Sequence, residues 1–136
     1  MSIEYVSPDG LHKDPAFSQV VISQGNVRTV YVGGQNAVNP AGEIVGKGDI
    51  GRQTEQVFEN LEIALSAAGA RLENVIKWNV YVVQGQSLQP AFEAFQRVFG
   101  NRSNPPLVTV LFVAGLANPD FLLELEAIAA VPHNNG

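Results

Sequence analysis

The sequence predicts an α+β fold: a mixed β-sheet with two helices packed on one face, in the order β-β-β-α-β-α-β-β. Three observations carry this. In Asp49–Ala70, the residues Ile50, Thr54, Val57, Phe58, Leu61, Ala64, Leu65 and Ala68 recur at helical spacing and form one apolar stripe, with Arg52, Glu55, Glu59 and Glu62 off it. Several runs elsewhere are dominated by Val, Ile, Trp and Tyr, the composition of strands. Finally, Leu107–Val113 is apolar at both alternations apart from Thr109, the pattern of a strand covered on both faces.

The elements follow in order. Ile3–Val6 reads as a short edge strand stopped by Ser7-Pro8-Asp9-Gly10, and Leu11–Phe17 as a loop. Gln19–Ser23 and Thr29–Val32 are strands separated by Gln24-Gly25-Asn26, a hairpin signal, and Gly33-Gly34 ends the second of them. A backbone bare of side chains there lets a ligand or another chain come close. Asn36–Gly48 is a Pro-, Gly- and Asn-rich loop with room for a short strand at Glu43–Val45. Asp49 is the expected N-cap of the long helix and Gly69 its stop. Val75–Val83 is a strand in which Trp78, Val80 and Val82 alternate with Lys77, Asn79, Tyr81 and Val83. Leu88–Phe99 is the second helix, with Leu88, Ala91, Phe92, Phe95, Val98 and Phe99 inward; Gly100–Pro106 breaks it. Leu107–Val113 and Leu122–Val131 complete the sheet, and Pro132–Gly136 is a frayed tail.

Composition narrows the function. At 136 residues the expectation is one domain, 1–136, and 15% charged residues is low for a small soluble monomer. Two helices cover only one face of the sheet, so the other is expected to lie against a second copy of the chain. A net charge of −5 with scattered basic residues argues against nucleic acid and anionic membrane as partners. There is no cysteine, hence no disulfide or thiolate chemistry. MSIEYVSPDG has no signal-peptide pattern and no apolar run is of membrane-spanning length, so a cytoplasmic protein is expected.

Few residues carry chemistry. Gly46-Lys47-Gly48-Asp49-Ile50-Gly51 matches Gly-x-Gly-x-x-Gly, but without a firm preceding strand and with Asp49 where a pyrophosphate belongs, so it reads as a flexible loop. His12 and His133 lack ligand-type spacing and are expected as exposed loop residues; no metal site is expected. Glu124 and Glu126 are different. Leu123, Leu125, Ala127, Ala129 and Val131 share the helix-covered face, which turns both glutamates to the face awaiting another subunit. There they form either an interfacial salt-bridge or hydrogen-bond network, or a general base or water-orienting acid in a cleft.

Asp49-Ile50, Gln53–Leu61, Ala67–Ala70, Val75–Lys77, Val80–Val82 and Glu124–Ala129 resemble, in the right order, the Rid (YjgF-like) family. The resemblance implies a chorismate-mutase-like α+β fold assembled as a homotrimer with clefts between subunits. Its best-known members are cofactor-free enamine/imine deaminases that hydrolyse 2-aminoacrylate-type intermediates. In them an arginine in Pro-x-Arg-Ser-x-Val grips the substrate carboxylate, and a glutamate on the last strand positions water. The glutamate matches Glu124, the expected catalytic group. The arginine motif aligns with Pro105–Val110, placing Leu107 where the arginine belongs. Phe17 stands for a tyrosine, Gly33 for a serine before Gly34-Gln35, and the loop Ala114–Phe121 is slightly longer.

The expected cleft is therefore lined by Phe17, Gly33, Gly34, Leu107 and Thr109, with Glu124 as its polar group and no cofactor. Leucine supplies none of a bidentate charged contact, so the expected ligand is a small, less acidic and more apolar metabolite rather than a 2-imino acid. Two alternatives stay open: a deaminase in which Arg28, Lys77 or Arg102 supplies the cation, and a non-enzymatic interaction protein with an inert cleft. Family members have also been described as ribonucleases or translation inhibitors; the acidic composition opposes that here.

Overall fold

The computed structural model describes residues 2–100, 102 and 104–132; the expectations for His133 and for the tail beyond Pro132 lie outside them. Six strands and two long helices follow one another as β1 (Ser2–Val6), β2 (Val20–Gln24), β3 (Val27–Gln35), α1 (Ile50–Ala67), β4 (Val75–Val83), α2 (Leu88–Phe99), β5 (Leu107–Val113) and β6 (Leu123–Pro132), with a short 3-10 turn at Leu72–Asn74. Four strands form a sheet in the order β3-β6-β4-β5, antiparallel except for the β4–β5 pair, which α2 connects. The mixed sheet and two helices agree with the sequence.

The ends of α1 are set locally. Asp49 Oδ1 accepts from the Arg52 N–H at 3.1 Å, satisfying one of the first-turn donors. At the other end Gly69 has φ +73°, and Gly69 and Ala70 donate back to the Ser66 and Leu65 carbonyls, a Schellman closure. The stripe of α1 is buried as expected at Ile50, Thr54, Val57, Phe58, Leu61 and Leu65. Against it lie Trp78, Val82, Leu123, Leu125, Ala127 and Ala129 from the sheet. An aromatic cluster joins the layers: Phe58 meets Trp78 edge-on at 5.8 Å between ring centres and Phe95 at 5.7 Å, while Trp78 meets Phe99 at 5.1 Å.

Three local expectations are corrected. The hairpin across Gln24-Gly25-Asn26 is not formed: β2 pairs with β1 in a separate two-stranded sheet, while β3 pairs with β6. Turn residues permit a change of direction without requiring that the flanking strands hydrogen-bond, and here they link two sheets. Gly33-Gly34 does not end β3, which continues to Gln35 with its register slipping between Val32 and Gln35, a bulge that glycine tolerates. And β5 is not buried on both faces within the chain. It is the sheet edge, with Val110 44% and Phe112 51% exposed on the helix side and Leu111 49% exposed on the other. The reason is that α2 leans on α1 through Phe95, Phe99 and Phe58, leaving the helix side of β5 partly open. Val38 and Ile44 form an isolated bridge in the loop where a short strand is expected.

Candidate functional site

The site is built on the sheet face turned away from the helices. In β6 the side chains alternate, and Glu124 and Glu126 emerge together on this face, opposite the buried Leu123, Leu125 and Ala127. Cross-strand register then fixes three rows. Glu124 pairs with Tyr81, which pairs with Leu111; Glu126 with Asn79 and Thr109; Ile128 with Lys77 and Leu107.

Glu124 is held from one side. Asn36 Nδ2 donates to Glu124 Oε1 at 3.1 Å and to the Leu123 carbonyl at 3.3 Å. The backbone of Asn36 is itself fixed by α1: Asn60 Nδ2 donates to the carbonyls of Asn36 and Val38 at 3.0 and 2.9 Å, and Gln56 Nε2 donates to Asn60 Oδ1 at 3.0 Å. The other carboxylate oxygen, Oε2, lies against the Cα of Gly34; a Cβ built there would overlap it. Glycine at position 34 is what lets the carboxylate lie against β3.

Glu126 is a different group. Tyr81 Oη donates to its Oε1 at 2.7 Å and Asn79 Nδ2 at 3.0 Å. The Tyr81 hydroxyl first, then the Asn79 amide, hold its carboxyl below the usual carboxylate range, against a small opposing effect of burial and with help from the Lys77 charge. The same hydrogen bond pushes the Tyr81 phenol up from its usual 10.0. Tyr31, Gly33, Lys77, Asn79 and Glu126 border a groove of about 290 Å³ on this face.

The expected site residues are thus divided. Gly34 meets Glu124, and Gly33 borders the neighbouring groove. Leu107 and Thr109 share the face by register but stand on the edge strand. With about 4.8 Å between strands and 3.3 Å per residue, Leu107 lies roughly 16 Å from Glu124, two strands across and four residues along. Phe17 is on the other side of the sheet, beside Val108, Val110 and Phe92, and its loop is pinned by Ser18 Oγ donating to the Pro105 carbonyl at 2.6 Å.

Of the candidate cations, Arg102 is committed to structure. It donates to the carbonyls of Leu72, Glu73 and Val75, with its carbon 5.0 Å from the centre of the Phe99 ring, and burial pulls its pKa down. Arg28 points at the Gly69 carbonyl. Lys77 alone of the three lies on the carboxylate face, directly in register with Leu107. Sequence reasoning missed Asn36, Asn79 and Tyr81 as carboxylate partners. Alternation along β4 places the last two on this face; nothing local marks Asn36, 88 residues from Glu124. Among the described residues no three His, Asp or Glu side chains gather as metal ligands, and no helix is long and apolar enough to cross a membrane.

The family model described as Endoribonuclease L-PSP matches residues 11–131, nearly the whole chain. The protein belongs to this family, the Rid (YjgF-like) family. It is 42% identical over 109 residues to a RutC family protein of Pyrococcus horikoshii, covering 79% of this chain and 82% of that one. It is 31% identical over 114 residues to a 2-iminobutanoate/2-iminopropanoate deaminase of Rattus norvegicus, covering 84% and 79%. A crystal structure of a Rid-family protein of unknown function from Yersinia pestis superposes with a TM-score of 0.82 at 32% identity, covering 96% of this chain and all of that one. The likeness in structure extends the family assignment to the fold: this Rid chain has the YjgF-type arrangement of two helices on a mixed sheet.

Proposed function

We propose that this Rid protein is a homotrimer whose inter-subunit clefts bind or transform a small metabolite other than a 2-imino acid, with Glu124 as the polar group and Leu107 as an apolar wall. The observation that carries the reading is the division of the site. Glu124 and Leu107 occupy one face of one sheet, yet too far apart to touch one small molecule. Laying that face against another copy brings the edge strand of one chain toward the carboxylate of the next. It also covers Leu111 and the Tyr31 ring, which is 76% exposed in the single chain.

In such a cleft Glu124 accepts a hydrogen bond from a ligand donor or orients a water. Its tether to Asn36 through Oε1 leaves Oε2 to do this. No metal or cofactor enters the reading.

Lys77 favours one alternative. An ammonium in register with Leu107 is a cation on the carboxylate face, and the rat relative is a deaminase of 2-imino acids. Both readings are tested by supplying 2-iminobutanoate generated in situ and following ammonia, alongside light scattering for the oligomer. The proposal expects a trimer and ammonia release at the background rate. Rapid release, lost in Glu124→Ala, overturns it; loss also in Lys77→Met moves the assignment to a deaminase with a relocated cation. A monomer in solution ends both. The endoribonuclease description of the family model finds no support in a chain of net charge −5.

A further inference from the structure

One row along the sheet from Glu124, two opposite charges border one groove without meeting. Lys77 is in register with Ile128 and Asn79 with Glu126, so Lys77 and Glu126 are diagonal neighbours on adjacent strands, about 7–8 Å apart at their bases. Glu124, in register with Tyr81, is four residues further along, roughly 14 Å from Lys77. Lys77 therefore serves Glu126 rather than Glu124. Yet its ammonium makes no hydrogen bond or ion pair with any described residue, and a groove of about 290 Å³ opens beside it.

The carboxylate is half used. Tyr81 Oη and Asn79 Nδ2 both donate to Oε1, and no described side chain donates to Oε2. These bonds keep Glu126 ionised at neutral pH. On the side away from Lys77, Tyr31 of β3 is also in register with Ile128, which sets its exposed ring diagonal to Glu126. A carboxylate oxygen beside an aromatic face suits an ammonium. Ile128 lies between Tyr31 and Lys77 and gives the groove an apolar floor. At Gly33 a Cβ would meet nothing within 4 Å, so the glycine leaves this end open.

The charges decide what fits. An amine alone at Glu126 meets the repulsion of Lys77, and an anion alone at Lys77 that of Glu126. A molecule with both charges satisfies both. The competing arrangement is Lys77 folding onto Glu126, but an exposed ion pair made by a flexible lysine contributes little, so a ligand can displace it. We propose that the groove between Lys77 and Glu126 binds a short amino acid as its zwitterion, charged at its two ends, with the ammonium on Glu126 Oε2 beside the Tyr31 ring and the carboxylate on Lys77. Every group that recognises it comes from one chain. A second copy laid on this face, as proposed above, would roof the groove and add no charge that the site requires.

β-Alanine carries both charges, and propanoate and propylamine carry one each. Titrated into ¹⁵N-labelled protein, β-alanine is expected to shift the amide signals of residues 77–79 and 126–128 saturably, with at least tenfold tighter binding than either half. Lys77→Met should reduce β-alanine to the affinity of propylamine, and Glu126→Gln to that of propanoate. These substitutions lie on different strands, so one well-folded variant suffices. Gly33→Leu fills the groove without touching either charge and should weaken β-alanine at least tenfold. Light scattering on the same samples reads the oligomer, so a failed trimer and an empty groove are told apart. The proposal is overturned by β-alanine binding no tighter than its halves, the result expected if Lys77 closes on Glu126. Shifts that do not saturate, or binding that survives both charge substitutions, overturn it equally.

Discussion

Adding one methyl group at position 34 tests how the carboxylate of Glu124 is seated. In Gly34→Ala the new Cβ overlaps Glu124 Oε2, and the displaced carboxylate cannot keep its bond to Asn36. Gly34 has no positive φ, so alanine strains no backbone there. Overpacking costs about 1–3 kcal/mol, and a lost hydrogen bond to a charged group about 1.5–3 kcal/mol. Glu124 is half-buried and its side chain can swing into water, which relieves the overlap and replaces most of the lost hydrogen bond, so we expect less than the sum of the two, about 1–1.5 kcal/mol. In a Glu124→Ala background the overlap is gone and the sign should reverse. Gly34→Ala then removes only the freedom of the unfolded chain, a gain of about 0.4–1 kcal/mol. The two substitutions should therefore couple by about 1.5–2.5 kcal/mol, measured by urea denaturation of the four proteins at one fixed chain concentration. Additivity within about 0.5 kcal/mol would mean that the carboxylate does not rest on Gly34, and the argument for why glycine stands there would fail.

Three further outcomes follow from the same geometry. Gln53 is completely buried; it donates to the Gly46 and Asp120 carbonyls and accepts from the Leu122 N–H, so Gln53→Leu should cost about 2–4 kcal/mol by urea denaturation, because it leaves buried backbone groups unmade. Asp49→Ala removes the N-cap of α1 and should cost about 1 kcal/mol, restored largely by Asp49→Ser. Tyr81→Phe removes the chief cause of the lowered Glu126 carboxyl. A depressed carboxyl stabilises the fold above its unfolded value of about 4.5, an effect lost as pH falls through the folded value, so the wild-type advantage over Tyr81→Phe should be full near neutral pH and shrink below pH 4.5; a gap independent of pH on the acid side would contradict it. The raised Tyr81 phenol acts at the other end, stabilising below 10.0 and failing as pH rises past it.

What was legible in the chain is what is decided locally. The stripe of α1, its Asp49 cap and its Gly69 stop are written within one helix length, and alternation in β6 turns Glu124 and Glu126 to one face without knowledge of any other strand. What was not legible depends on partners far along the chain. The strands flanking Gln24-Gly25-Asn26 carry the same residues whether they pair with each other or with β1 and β6. Gln53 and Gln56 interrupt an otherwise apolar side with amides, and only the loops and the Asn60 side chain that they meet explain their burial. Leu107 stands in place of a charge only through the family resemblance, and no local pattern marks it. That Lys77 stands beside it required the parallel register of β4 and β5.

The two faces of this sheet follow opposite rules, and the reason lies in α1. Toward the sheet, α1 presents Val57, Phe58, Leu61 and Leu65, which make the helix side apolar. From its flank Gln56 and Asn60 reach the loop after β3 and fix the carbonyls of Asn36 and Val38. The Asn36 side chain then reaches Glu124 on the far face. One helix thus sets both the apolar packing under the sheet and the angle of a carboxylate beyond it. Such a tether matters for chemistry, because a flexible carboxylate samples many directions and a held one presents its free oxygen in a single direction. Replacing Leu107 by arginine would add a cation to this face without touching the tether, since Leu107 stands two strands away from Glu124. If the cleft forms between chains as proposed, Leu107→Arg should therefore convert an apolar wall into a carboxylate grip and raise ammonia release from a 2-imino acid. In a Gly34→Ala background, where the carboxylate has lost its seat, the same arginine should give binding without the gain in rate.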